Sequence, residues 1–185
     1  MAEMLAVSDT SQVVPANQML AKAGQYLTFV LSGEEYAMGI LNIKEIIAYG
    51  QVTDVPMMPN FVRGIFNLRG IVVPVVDLMA RFGKGVTQIA KRTGIVIVEN
   101  LESGDDGQHY IGIIVDAVNE VVDILPQDIE PPPNFGTGIR QDFISGMAKR
   151  NDRFLILLNV SKVLSMDEMA NLSKVAIDTI DGTDN

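Results

Sequence analysis

The chain contains no cysteine and a single histidine, His109. The first absence excludes disulfides, thiolate nucleophiles and cysteine-ligated metals. The second leaves little material for a zinc site or a histidine-based triad. No apolar run approaches the ~20 residues that a membrane-spanning helix needs. Positive charge is also scarce, with 14 Lys and Arg against 23 Asp and Glu and a net charge of −9. The largest basic cluster is Lys149-Arg150 with Arg153, and phosphate backbones repel such a surface, so no nucleic-acid partner is expected. The start Met1-Ala2-Glu3-Met4 has neither the basic residues nor the long apolar core of a secretory signal. A soluble, cytoplasmic protein without direct membrane insertion is expected.

With 48% hydrophobic and 20% charged residues the chain is globular. Residues 1–24 mix Ser, Gln, Ala and Asn around Pro15 and read as a flexible arm, partly helical near 19–23. The segment 26–31 alternates, with Leu27, Phe29 and Leu31 on one side and Thr28 on the other; Gly33-Glu34-Glu35 turns the chain and 36–40 returns as a second strand. Ile43-Lys44-Glu45-Ile46-Ile47 reads as a short helical turn or a bent connection. Further strands are expected at 95–98, 110–115 and 153–158, with an acidic loop at 101–108 and a proline-rich segment at 123–138. Ser165-Met166-Asp167-Glu168 fits a capping box for a C-terminal helix over 165–180, followed by a polar tail, 181–185.

The most informative stretch is 61–78. Two β-rich pieces, 64–66 and 71–76, flank Asn67-Leu68-Arg69-Gly70. Gly70 supplies the backbone freedom of a tight hairpin corner, and Asn67 tolerates turn conformations. Such a corner presents Leu68 and Arg69 outward, an apolar side chain beside a permanent charge. Pro74 cannot donate to a ladder, so the second strand is bulged there or has a free edge. Asp77 is placed to cap a helical turn.

Shifted against itself by 82 residues, the chain matches Phe61, Val62, Gly64 and Ile65 with Phe143, Ile144, Gly146 and Met147. The same shift puts Val72, Val73, Val75, Val76 and Asp77 on Phe154, Leu155, Leu157, Leu158 and Asn159. A slightly different offset places Tyr36 on Tyr110 and 43–47 on 118–122. An internal duplication follows, with a first lobe over 25–88 and a second over 89–164, whose last strand has the option of returning to the first. Each lobe has about five short strands, too small for a flat sheet with two open edges, so each curls into a barrel. Two barrels side by side leave a groove between them, a common kind of binding site. The corner itself is not repeated: Asn67-Leu68-Arg69-Gly70 becomes Lys149-Arg150-Asn151-Asp152. A tip needed only for the barrel would be needed in both copies, so the first reads as a recognition site.

Taken together, Tyr36, Ile43-Lys44-Glu45-Ile46, Pro59-Asn60-Phe61-Val62-Arg63-Gly64, Asn67-Leu68-Arg69-Gly70 and Val73-Pro74-Val75-Val76-Asp77-Leu78 resemble the CheW family of chemotaxis coupling proteins. The second half adds 112–118 and 156–159, so the likeness covers about residues 25–165. The resemblance implies a mainly β fold of two SH3-like five-stranded β-barrel lobes with short helical turns and a C-terminal α-helix. It implies no catalysis and no cofactor. The partners it implies are the cytoplasmic tips of methyl-accepting chemoreceptors and the regulatory domain of a CheA-type histidine kinase, with recruitment to membrane-bound receptor arrays of a protein that is a monomer in isolation. It ties Ile43, Glu45, Gly64 and Arg69 to receptor or kinase coupling, on a surface that also takes in Asn67, Leu68, Gly70 and Val72. On this reading an apolar groove near Ile43 and Val72 accepts a helix face. Leu68 and its aliphatic neighbours supply affinity, Arg69 contacts a carboxylate in bidentate fashion, and Glu45 pairs with a partner cation for ~0–1 kcal/mol. A paralogous adaptor of another chemosensory pathway, such as one for surface motility, fits the same residues.

Other constellations have plainer readings. His109 with Glu102, Asp105 and Asp106 lacks the ligand spacing of a calcium loop and reads as a solvated turn. Phe82-Gly83-Lys84-Gly85 lacks the full phosphate-loop pattern and reads as the start of a flexible linker. Asp77, Asp116 and Glu120 are the carboxylates a small hydrolase would have to pair, but capping and turn roles account for them more simply. Met57-Met58 reads as gap-filling core.

Overall fold

The computed structural model describes residues 24–99, 109–132 and 139–165. The N-terminal arm before Gly24, the acidic loop and the helix expected after Ser165 lie outside those residues. In chain order, β1 (Gln25–Leu31) and β2 (Glu34–Gly39) form a hairpin, and a 3₁₀ turn (Ile40–Asn42) leads into β3 (Ile43–Ala48). β4 (Val62–Leu68) and β5 (Ile71–Asp77) form a second hairpin, followed by the short helix α1 (Leu78–Arg81). After a connection come β6 (Gly94–Glu99), β7 (Tyr110–Val115), β8 (Ala117–Asp123), β9 (Ile129–Glu130), β10 (Ile144–Arg150), β11 (Arg153–Leu158) and α2 (Val160–Val163).

The duplication is visible in hydrogen bonds. The Asp77 amide donates to the Phe61 carbonyl at 2.7 Å, and the Asn159 amide to the Phe143 carbonyl at 2.7 Å. Asp77 caps α1 and Asn159 caps α2. Hairpin β4–β5 is bulged between Val62 and Gly64, and β10–β11 between Ile144 and Gly146. One equivalence differs from the sequence expectation. The parallel pairing of β2 with β11 sets Tyr36 beside Ile156, and that of β5 with β7 puts Ile111, not Tyr110, in the matching place. A slip of one residue along a strand exchanges its faces. Tyr36 and Ile111 accordingly share one core while Tyr110 lies in another.

The sheets do not divide the chain at residue 88. One has the order β8-β1-β2-β11-β10-β9 and the other β3-β6-β7-β5-β4. Each repeat therefore contributes its first hairpin to the lobe built from the other repeat's later strands. The parallel pairs β2–β11 and β5–β7 are the seams of that exchange, and β11 does return to a strand of the first half. Each sheet closes on itself through a segment passing over a glycine. Thr53 bridges to Ile65 on β4, and β9 pairs with β10. A Cβ on Gly64 would stand 2.1 Å from the Thr53 carbonyl oxygen, and one on Gly146 2.6 Å from Ile129. Only a hydrogen fits in either place.

Alternation along the strands feeds three cores. Ile95, Ile97, Tyr110 and Ile114 point into one lobe with Leu68, Val73 and Val75. Ala37, Val122, Leu155 and Leu157 point into the other. Leu27, Phe29, Tyr36, Val96, Val98, Ile111 and Ile113 point out of their lobes and meet in the largest cluster, between the two sheets. The face between the barrels is thus a packed core rather than the expected open groove. A strand that is apolar on both faces, as β7 is, must be covered on both. Arg81 sits in this seam with its guanidinium 5.0 Å from the Phe61 ring and 4.7 Å from that of the equivalent Phe143, while its Nε donates to the Val163 carbonyl at 2.9 Å.

Two segments, 43–47 and Met57-Met58, differ locally from the sequence expectation. The segment 43–47 is strand β3, not a helical turn. Its ladder to β6 skips Lys44, pairing Ile43 with Val98 and Glu45 with Ile97. The extra residue turns Ile43 toward the core between the lobes and Ile47 toward the lobe interior. β5 lies inside its sheet, and Pro74 has the free edge expected of it, because the β5–β7 ladder begins only at Val75. Met57 and Met58 are exposed on the loop between β3 and β4 instead of filling the core.

Candidate functional site

The corner between β4 and β5 is a two-residue loop, since Leu68 pairs directly with Ile71. Its residues Arg69 and Gly70 have φ of 49° and 90°, the left-handed pair that a tight hairpin turn requires. The Asn67 carboxamide oxygen accepts from the Gly70 amide at 2.7 Å, which fixes the bend. In the second repeat Asn151 and Asp152 occupy the same turn at φ of 53° and 65°. Asn and Asp are residues such a turn prefers, and arginine is not. The first lobe therefore holds Arg69 against local preference.

β3 and β4 stand at opposite ends of their sheet, and barrel closure brings them together. The Arg69 guanidinium then forms an ion pair with the Glu45 carboxylate, the arginine side chain 73% and the glutamate 27% exposed. Below them lies an open groove of about 410 Å³ lined by Ile47, Gln51, Phe66, Asn67 and Leu68. Ile47, Gln51 and Phe66 were not singled out from sequence, and the alternation of β3 that exposes Ile47 to the groove was masked by its bulge. Val72, opposite Asn67 in the register, is 64% exposed on the outer side of β5.

The eight candidate residues thus fall into separate places. Glu45, Asn67, Leu68, Arg69 and Gly70 meet at the corner, with Val72 beside it. Leu68 does not point outward as expected: it is 6% exposed and packs in the lobe core with Val73 and Tyr110. A strand-end residue paired across the ladder keeps the inside–outside alternation of its strand, and the turn begins only after it. Ile43 packs against the core between the lobes, and Gly64 is buried under Thr53. Glu45 has its cation within the chain. An arginine–glutamate pair also recurs in the copy, where Arg150 lies 3.4 Å from Glu120, so what sets the first tip apart is the strained, outward arginine and not the pairing itself.

The carboxylates considered for hydrolysis are engaged. Asp77 is buried and accepts from the Met79 amide (3.1 Å), the Thr87 amide (2.8 Å), the Thr87 hydroxyl (2.6 Å) and Arg63 (2.9 Å). Four donors occupy the lone-pair positions a carboxylate has. The same bonds pin the connection after α1, which the sequence suggested was a flexible linker. Asp116 accepts from the Ser32 amide at 2.7 Å, and Glu120 faces Arg150. Among the described residues no group of three or more His, Cys, Asp or Glu could hold a metal ion, and no helix is long and apolar enough to cross a membrane.

A family model described as "CheW-like domain" matches residues 25–168. The chain is 37% identical over 152 residues to the chemotaxis protein CheW of Klebsiella aerogenes, covering 82% of this chain and 88% of that one. It is 34% identical over 143 residues to the chemotaxis protein CheW of Helicobacter pylori, covering 77% and 82%. To the protein FrzA of Myxococcus xanthus it is 32% identical over 124 residues, covering 66% and 74%. The crystal structure of the scaffolding protein TtCheW from Thermoanaerobacter tengcongensis superposes with a TM-score of 0.68 at 37% identity, covering 76% of this chain and 87% of that one. With its two SH3-like β lobes, its duplicated capped hairpins and these relatives, the chain belongs to the family of CheW-like proteins.

Proposed function

We propose that this protein is a non-enzymatic adaptor of bacterial chemotaxis, coupling the cytoplasmic tips of membrane chemoreceptors to a CheA-type histidine kinase. The observation that carries the reading is Arg69, held in a left-handed turn and presented to solvent at the rim of a groove. A guanidinium so placed recognises a carboxylate on a docking protein and sets its register. Affinity comes from the apolar lining, Ile47 and Phe66, and from Val72 beside it, with Leu68 supporting the turn from beneath. The protein works in the cytoplasm, is recruited to receptor arrays and is a monomer when alone. The likeness to FrzA supports a second reading, an adaptor of the same build serving another chemosensory pathway.

The test mixes the full chain with a receptor cytoplasmic fragment and a CheA-type kinase and follows autophosphorylation. Receptor-dependent kinase activity is expected to rise with the chain present and to stay at its basal level with Arg69→Glu. Equal activity with and without the chain would overturn the adaptor reading. Repeating the assay with kinases of different chemosensory pathways separates the two readings.

A further inference from the structure

The lobe that carries β10 and β11 has a cleft of its own, away from Arg69. β2 and β11 run parallel but pair only through Tyr36 with Ile156 and Ala37 with Leu157. Ahead of those pairs the strands part. Glu34 and Glu35 pair with β1, and 153–155 with β10, so their facing sides have no strand partner among the described residues. Between them lies a cavity of about 550 Å³ whose lining includes Val30, Met147 and Phe154. Phe154 is 55% exposed. A large aromatic side chain beside open main-chain edges is an unfavourable surface to leave in water and a favourable one for an added strand.

The other lobe is built differently at the same place. There Val72 stands for Phe154 and Pro74 for Ile156. Proline removes a donor and so blunts the edge ahead of the β5–β7 pairs, whereas Ile156 is paired with Tyr36 and the open edge of this lobe, at 153–155, carries no proline. Charge then selects the occupant. Glu34 is engaged by the Tyr36 hydroxyl at 3.0 Å and lies 3.9 Å from Lys84, and Glu35 accepts from the Asn119 carboxamide at 3.5 Å. Arg150 leans to Glu120, but Arg153 makes no ion pair among the described residues.

We propose that this cleft binds an extended segment of a partner polypeptide, which adds to the open strand edges, seats an apolar side chain on Phe154 and places a carboxylate against Arg153. The surface is separate from the Arg69 corner and does not depend on the coupling function.

A displayed library of random nonapeptides, selected on the full chain, tests it. The enriched peptides should alternate apolar residues with others and carry Asp or Glu. Their binding should weaken at least tenfold for Phe154→Ser and for Arg153→Glu, and stay unchanged for Arg69→Glu. Amide resonances of Glu34, Glu35 and Phe154 should shift on titration with a selected peptide. Both altered side chains are exposed, and thermal melts matching the parent would confirm that the variants fold. A selection that enriches nothing, or peptides that bind both cleft variants as tightly as the parent, would overturn the proposal.

Discussion

Arg69, on the β4–β5 turn, holds Glu45 on β3, and the contact joins the two ends of a single sheet. An exposed pair of this kind adds only ~0–1 kcal/mol to stability. Its cost in turn strain is of similar size, so stability does not account for the arginine. Arg69→Glu is therefore expected to change unfolding free energy by less than about 1 kcal/mol, while partner binding falls by on the order of tenfold or more, about 1.4 kcal/mol. The double reversal Arg69→Glu with Glu45→Arg restores the internal pair. Binding measured by calorimetry should nevertheless stay weak; recovery would mean that the pair acts only as a clasp.

Leu68 and Val72 separate packing from recognition on the same hairpin. Leu68→Ala removes a side chain from the lobe core and should cost about 2–5 kcal/mol in urea unfolding. Val72→Ser, on the outer side of β5, should stay within about 0.5 kcal/mol of the parent. Similar unfolding midpoints for the two would contradict the assigned burial.

Two glycines in this hairpin should respond differently to alanine. At Gly64 the added methyl meets the Thr53 carbonyl oxygen at 2.1 Å, so strand closure must give way and a loss above about 3 kcal/mol is expected. At Gly70 nothing lies within 4 Å, and only the left-handed φ of 90° is penalised. Gly70→Ala should cost about 1–2 kcal/mol. Denaturant titrations of both variants decide the order.

Asp77→Asn replaces an acceptor of four hydrogen bonds by a group that also donates, facing Arg63 and Thr87. Breaking a buried pair in this way is expected to cost about 3–5 kcal/mol and to free the connection after α1, seen as faster amide exchange at Thr87. Unchanged exchange there would show that Asp77 does not hold the connection.

Tyr36 donates to Glu34, and burial together with that carboxylate pushes its hydroxyl well above the ordinary tyrosine range. A group whose folded value is raised gives its full contribution below the unfolded value, about 10, and loses it as pH rises further. The parent should therefore lose stability progressively above about pH 10, and Tyr36→Phe should lose less over the same range. Parallel pH profiles would remove Tyr36 from the account.

Most strands were legible because their alternation is plain: 26–31, 95–98, 110–115 and 153–158 fall within or on observed strands. The failure at 43–47 has a local cause. A bulge at Lys44 breaks the two-residue period, leaving Ile43, Ile46 and Ile47 at a spacing that a helix also shows. The corner at 67–70 is legible in the sequence, but the side that Leu68 takes is not, because the turn is two residues long and not four.

The sequence by itself determined the β-rich class, the duplicated hairpins with a capping Asp77 matched by Asn159, and the arginine corner. These are local patterns of side-chain period, turn chemistry and self-similarity, and each is contained in a few neighbouring residues. Only the tertiary structure decided that the repeats exchange their first hairpins, that the space between the lobes is packed, and that Glu45 meets Arg69. Those facts depend on which strand edges pair at long range. A strand's own residues say that it needs a partner and a covered face, and the rest of the chain supplies which ones.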